Sequence, residues 1–81
     1  MTAQPRAYPS NELLLQYMRD GWILSRRWKR RGKADVYYCL WARERKEIEV
    51  QGGSVMALLH KKVIEVKKYY NNVECDFGVV S

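Results

Sequence analysis

The chain has 81 residues and a formal net charge of +6, with 47% hydrophobic and 12% aromatic residues. That composition suits one folded domain near the size where a single core barely suffices, and it excludes a wholly disordered chain. The charge is concentrated: residues 22–46 hold nine Lys or Arg against two acids, while the rest of the chain carries six basic and seven acidic residues. A localised field of this kind says more about partners than the net value does.

No run reaches the roughly 18 apolar residues of a membrane span, and Met1-Thr2-Ala3-Gln4-Pro5 lacks the apolar stretch of a signal peptide. A cytoplasmic protein with no membrane contact is therefore expected. Cys39 and Cys75 are too few for a disulfide scaffold, and neither begins a metal-ligand spacing, so both are expected to be reduced and buried.

Residues 1–9 contain Pro5 and Pro9 and no apolar period, which predicts a flexible arm before a single domain over 10–81. Residues 10–20 read as a helix capped by Ser10, with Glu12 in its first turn, Gly21 as its stop, and Leu13, Leu14, Tyr17 and Met18 as its apolar stripe. Residues 22–30 and 34–42 read as a β-hairpin turning at Arg31-Gly32-Lys33. A two-residue loop of Arg31 and Gly32 would set Trp22 opposite Trp41, Ile23 opposite Leu40 and Leu24 opposite Cys39, and a turn one residue longer would shift every pair. In either register the base is apolar on both faces and the tip is cationic, which predicts a ribbon projecting from the body.

Residues 47–50 alternate as a short strand, with Ile48 and Val50 on one face, and Gln51-Gly52-Gly53 ends it. Residues 54–62 read as a second helix, capped by Ser54 and burying Val55, Leu58, Leu59 and either Lys62 or Val63, with Met56, His60 and Lys61 on its flanks. Residues 63–70 and 73–80 form a closing hairpin around Asn71-Asn72, a pair that tolerates the positive φ of a type I′ turn. That turn pairs Ile64 with Val79, Val66 with Phe77, Lys68 with Cys75 and Tyr70 with Val73 on the core side. It places Lys67 opposite Asp76, and Tyr69 opposite Glu74, on the solvent side. No internal repeat is apparent. The fold class expected is α+β: two short helices, two β-hairpins and a short extra strand.

The segments Leu13-Leu14 through Met18-Arg19-Asp20-Gly21-Trp22-Ile23-Leu24, and Ser54-Val55-Met56-Ala57-Leu58-Leu59-His60-Lys61-Lys62-Val63-Ile64-Glu65, resemble parts of small winged-helix domains of bacterial and phage genomes. The resemblance covers about a third of the chain and rests on hydrophobic spacing. It implies that 54–62 is the groove-facing helix and 67–72 the wing. Two features depart from the family pattern: Lys62 stands where glycine is usual, and strands replace the middle helix.

The densest candidate site is Arg26, Arg27, Lys29, Arg30, Arg31 and Lys33, with Trp28 among them. Cations neutralise phosphates and aromatic rings stack on bases, so this pattern points to nucleic acid, DNA first. Lys61, Lys62, Lys67 and Lys68 are secondary candidates. The alternative gives the same charge to an acidic protein surface, as in a small inhibitor encoded by a phage or mobile element (anti-CRISPR-like or otherwise anti-defence) or an adaptor. A monomer or a homodimer would suit either. The sequence shows no paired-carboxylate spacing, no nucleophile with a base and no phosphate-cradling glycine loop. No catalytic residue, metal ligand or cofactor is expected, and no enzymatic activity.

Overall fold

Two helices and five strands succeed one another along the chain, and the strands join in one antiparallel sheet of order β3-β2-β1-β5-β4. The elements are α1 (Asn11–Arg19), β1 (Ile23–Trp28), β2 (Val36–Trp41), β3 (Ile48–Val50), α2 (Gly52–His60), β4 (Ile64–Tyr69) and β5 (Cys75–Val79). The computed structural model describes residues 9–29 and 35–80. The expected arm at 1–9, apart from Pro9, and the hairpin turn at Arg31-Gly32-Lys33 lie outside the described residues.

The α+β class holds, and the strands are more closely united than the sequence implied. Instead of two hairpins and a separate strand, β1 pairs with β2 on one side and β5 on the other. The described strands of the first hairpin are thus built into the sheet, with β1 at its centre, while the tip expected to project lies outside the described residues. The hairpin's register is the longer-turn alternative: Ile23 faces Trp41, Leu24 faces Leu40 and Ser25 faces Cys39.

Both helices lie on one face of the sheet. The core there joins Leu14 and Met18 of α1 and Val55 and Leu58 of α2 to Leu24, Tyr38, Leu40, Val50, Ile64, Cys75 and Phe77. Alternation along the strands sends Ser25, Arg27, Tyr37, Cys39, Trp41 and Asp76 to the other face, which no described helix covers. At the hairpin base that face also carries Ile23 opposite Trp41, so the base is apolar on both faces as expected, although no described helix covers this one.

The first helix begins as expected, with the Ser10 hydroxyl accepting from the Leu13 N–H at 3.2 Å. Leu13, however, is 46% exposed, and Leu14 and Met18 carry the burial with help from Leu15 and Tyr17. The second helix starts two residues earlier than Ser54: Gln51 is its N-cap residue, with no side-chain hydrogen bond. Gly52 sits against the Tyr38 ring, where a Cβ would lie 3.3 Å from Cε2, so the first turn packs tightly on β2. Met56 is 50% exposed.

In the closing hairpin the base register is as expected, Ile64 with Val79 and Val66 with Phe77. Beyond Val66 it slips by one residue, so that Lys68 pairs with Asp76 and Tyr69 with Cys75. A bulge at Lys67 absorbs the extra residue, and it overturns the expected Lys67–Asp76, Lys68–Cys75 and Tyr69–Glu74 pairs. The turn is not type I′ either, because neither Asn71 nor Asn72 has positive φ. Instead the Asn71 side-chain carbonyl accepts from the backbone N–H groups of Val73 (2.8 Å) and Glu74 (2.7 Å).

Candidate functional site

Strands β1 and β4 run in the same direction, so the two hairpins turn at the same end of the sheet. The two ends are tied together. The Arg26 Nε–H donates to the Val73 carbonyl at 2.7 Å, and the Trp28 backbone N–H donates to Glu74 Oε2 at 3.4 Å. Lys29 closes the described ladder by donating its N–H to the Asp35 carbonyl at 2.8 Å, and Lys29 itself is exposed.

The candidate cations divide by location. Arg26 and Arg27 belong to the ladder of the central strand, not to a free tip. The Arg27 guanidinium meets Glu47 at 3.1 Å and lies 5.5 Å from the centre of the Trp41 ring. Trp28 is half-buried at the end of β1. Arg30, Arg31 and Lys33 lie outside the described residues. Lys61 and Lys62 follow α2 at the opposite end of the sheet, about 20 Å from Lys29 by the rise of a six-residue strand. The Lys62 backbone is left-handed, with φ at 60°. Lys67 bonds Glu65 at 2.7 Å, and the Lys68 ammonium lies 5.1 Å from the centre of the Tyr70 ring. The structure thus brings Lys68 and Tyr70 to the hairpin end and leaves Lys61 and Lys62 remote from it.

A second arrangement occupies the uncovered face, and sequence reading missed it. A cleft of about 290 Å³ is lined by Ser25, Arg26, Arg27, Trp41, Tyr70, Glu74, Cys75 and Asp76. On its floor the Trp41 indole N–H donates to Ser25 Oγ at 2.7 Å, and the Ser25 hydroxyl donates to Asp76 Oδ1 at 2.5 Å. The Tyr70 hydroxyl donates to Asp76 Oδ2 at 2.5 Å, and that bond to a carboxylate holds the phenol pKa above its ordinary value. Ser25 is 2% exposed and fully hydrogen-bonded, so the buried polar pair does not destabilise the sheet.

The bulge makes this cleft. With the expected register, Tyr70 and Lys68 would point towards the helices; the slip at Lys67 turns both to the Asp76 side. Nothing in the run Lys67-Lys68-Tyr69-Tyr70 marks which residue is the extra one, because lysines and tyrosines suit either face of an edge strand.

Next to the cleft, Cys39 is fully buried, and burial followed by the Glu47 carboxylate pushes its thiol up to about 12. Burial likewise raises the Cys75 thiol. Both cysteines are free. Among the described residues no group of three or more His, Cys, Asp or Glu is placed to hold a metal ion, and no helix is long and apolar enough to cross a membrane. Comparison with protein families, curated proteins and solved structures finds no match to this chain.

Proposed function

We propose that this chain is a small nucleic-acid-binding protein that holds phosphates at the end of the sheet where both hairpins turn. The observation that carries the reading is the placement of the charge. The +7 segment of the sequence runs through the central strand, and its exposed Lys29 and the adjoining Arg30, Arg31 and Lys33 follow directly from that strand. Arg26 and Arg27, fastened to Val73 and Glu47, serve as its root and not as its phosphate contacts. In a winged-helix-like docking, α2 would face the groove. Its exposed positions are Gly53, Met56 and His60, with Lys61 only at its C-cap, so the hairpins are the better phosphate contacts.

Four cations on phosphates give a log–log salt slope of about −3 to −4, shallower than if Arg26 and Arg27 also engaged. A gel-shift titration of duplex and single-stranded DNA and RNA at two salt concentrations tests this. Retention that weakens steeply with salt supports the reading. No shift with any of these ligands sinks it, and capture of one acidic protein from lysate would then favour the inhibitor or adaptor alternative.

A further inference from the structure

We infer that the cleft on the uncovered face of the sheet receives one unpaired nucleobase, guanine by preference, from a single strand whose phosphates lie on the neighbouring cations. The inference rests on the nucleic-acid reading above and narrows it from nucleic acid in general to a single strand with one base read out.

The size of the cleft comes first. At about 290 Å³ it stands at the small end of the range for ligand sites, roughly 300–1,000 Å³, which leaves room for one ring system and little more. Its lining includes the Tyr70 ring, the Trp41 indole and the Arg27 guanidinium, which lies over the Trp41 ring. Aromatic and guanidinium planes are the surfaces on which unpaired bases stack.

The charge of the lining selects further. Alternation puts the Arg26 side chain on the helix face with Tyr38 and Cys75. The charged side chains on the cleft side are therefore Arg27, already paired with Glu47, and the acids Glu74 and Asp76. A ring that carries N–H donors is favoured there over a phosphate, which the carboxylates repel.

The hydrogen-bonding capacity then points to guanine. Each Asp76 oxygen accepts one hydroxyl, from Ser25 or from Tyr70, and a carboxylate oxygen has a second lone pair to offer. Guanine presents adjacent N1–H and N2–H₂ donors to such a carboxylate. Thymine offers a single N–H flanked by carbonyls, and adenine offers an amino group beside an acceptor. Tyr70 reaches this position only because of the bulge at Lys67, and bulges characteristically re-aim side chains next to binding sites. Lys68, whose ammonium lies over the Tyr70 ring, supplies a cation for the flanking phosphate.

The test uses the full chain and fluorescence anisotropy with three labelled oligothymidine strands: one with a central guanine, one all thymine, one with an abasic site at that position. A matching duplex is the fourth ligand, and each is run at two salt concentrations. The expected result is binding of the guanine strand about tenfold tighter than the other two. Tyr70→Ala, at a residue already 56% exposed, should abolish that difference while the salt slope stays as it was. Asp76→Asn should remove the guanine preference by replacing one acceptor with a donor. Because Asp76→Asn also disturbs Ser25, thermal melting accompanies it and Tyr70→Ala stands as the independent variant.

Equal affinity for the three strands overturns the inference while leaving phosphate binding intact, as does a preference that survives Tyr70→Ala. Displacement of the guanine strand by free arginine but not by guanosine also overturns it, in favour of a cation site. Failure of every strand and of the duplex to bind removes the nucleic-acid reading itself.

Discussion

The molecule contains two units of one design, and their differences show how its surface is made. Each unit is a nine-residue helix, a tight connection and a hairpin: α1 with β1 and β2, then α2 with β4 and β5. In the sheet, the pair β5-β4 repeats the pair β2-β1 two strand positions further on, in the same orientation. The connections match bond for bond. The Trp22 N–H donates to the Tyr17 carbonyl at 3.0 Å and the Gly21 N–H to Met18 at 3.2 Å. In the second unit Val63 donates to Leu58 at 3.2 Å and Lys62 to Leu59 at 3.0 Å. Both are Schellman endings with a left-handed residue, Gly21 at φ 104° and Lys62 at φ 60°. The first unit is built from the favoured residues: a serine cap, a glycine stop and an even ladder. The second has an uncapped start, a lysine in left-handed backbone and a bulged strand. The regular unit anchors the sheet, and the irregular one turns side chains onto its open face.

The largest expected effect tests the anchoring. Leu24 is fully buried in the central strand, and Leu24→Ala should cost about 2–5 kcal/mol, enough to leave so small a domain largely unfolded. The equivalent truncation at half-buried Val66 of the outer strand should cost roughly 1 kcal/mol. Urea denaturation of the two variants checks the contrast, and equal losses would deny β1 its central role.

Next come the two helix endings, where the substitutions should act with opposite sign. Gly21→Ala places a Cβ in left-handed backbone and should destabilise by about 1–2 kcal/mol, although no atom lies close enough to clash. Lys62→Gly relieves the same strain and should stabilise by roughly 0.5–1 kcal/mol. A lower melting temperature for Lys62→Gly would break the parallel between the units.

The helix starts give a smaller contrast. Ser10→Ala removes the bond to the Leu13 N–H and should cost about 1 kcal/mol, whereas Ser54→Ala should be close to neutral because Ser54 is no cap. Gln51→Asp should instead gain about 0.5 kcal/mol by supplying the missing acceptor. Melting temperatures of the three variants suffice to decide this.

The subtlest effect is a pH dependence. Folded Cys39 keeps its proton up to about 12, whereas the unfolded chain releases it near 9.0, so the folded form binds more protons between these values. Stability attributable to the neutral thiol is complete below pH 9 and declines as pH rises towards 12. Chemical denaturation at pH 8 and pH 10.5 should show a fall that is shallower in Cys39→Ala. At pH 8 neither cysteine should react with iodoacetamide until the chain is unfolded.

What was legible in the sequence follows the same division. Ser10, Gly21 and the apolar run 22–24 are strong local signals, and α1 and β1 lie where those signals put them. The pairing of β1 with β5 could not be read, because it joins residues such as Leu24 and Phe77 that no turn links and whose apolar character fits many partners. Ser54 was a persuasive cap, yet the close approach of Gly52 to Tyr38 set the start of α2 instead. The cationic segment was visible as composition; that Arg26 and Arg27 are held by Val73 and Glu47 was not, since both partners are distant in sequence. The cleft was least visible of all. It needs Ser25, Trp41 and Asp76 on one face and a one-residue slip to add Tyr70, and that slip has no signature in residue type.

The rims of the sheet carry a consequence of the same bulge. Among the described residues the outermost strands are β3, only three residues long, and β4, interrupted at Lys67 and flanked by charge. A foreign strand arriving at one rim would find too short a template, and at the other a broken sequence of donors and acceptors beside ammonium groups. Growth of the sheet from copy to copy, the first step towards a fibre, is thereby discouraged at both margins.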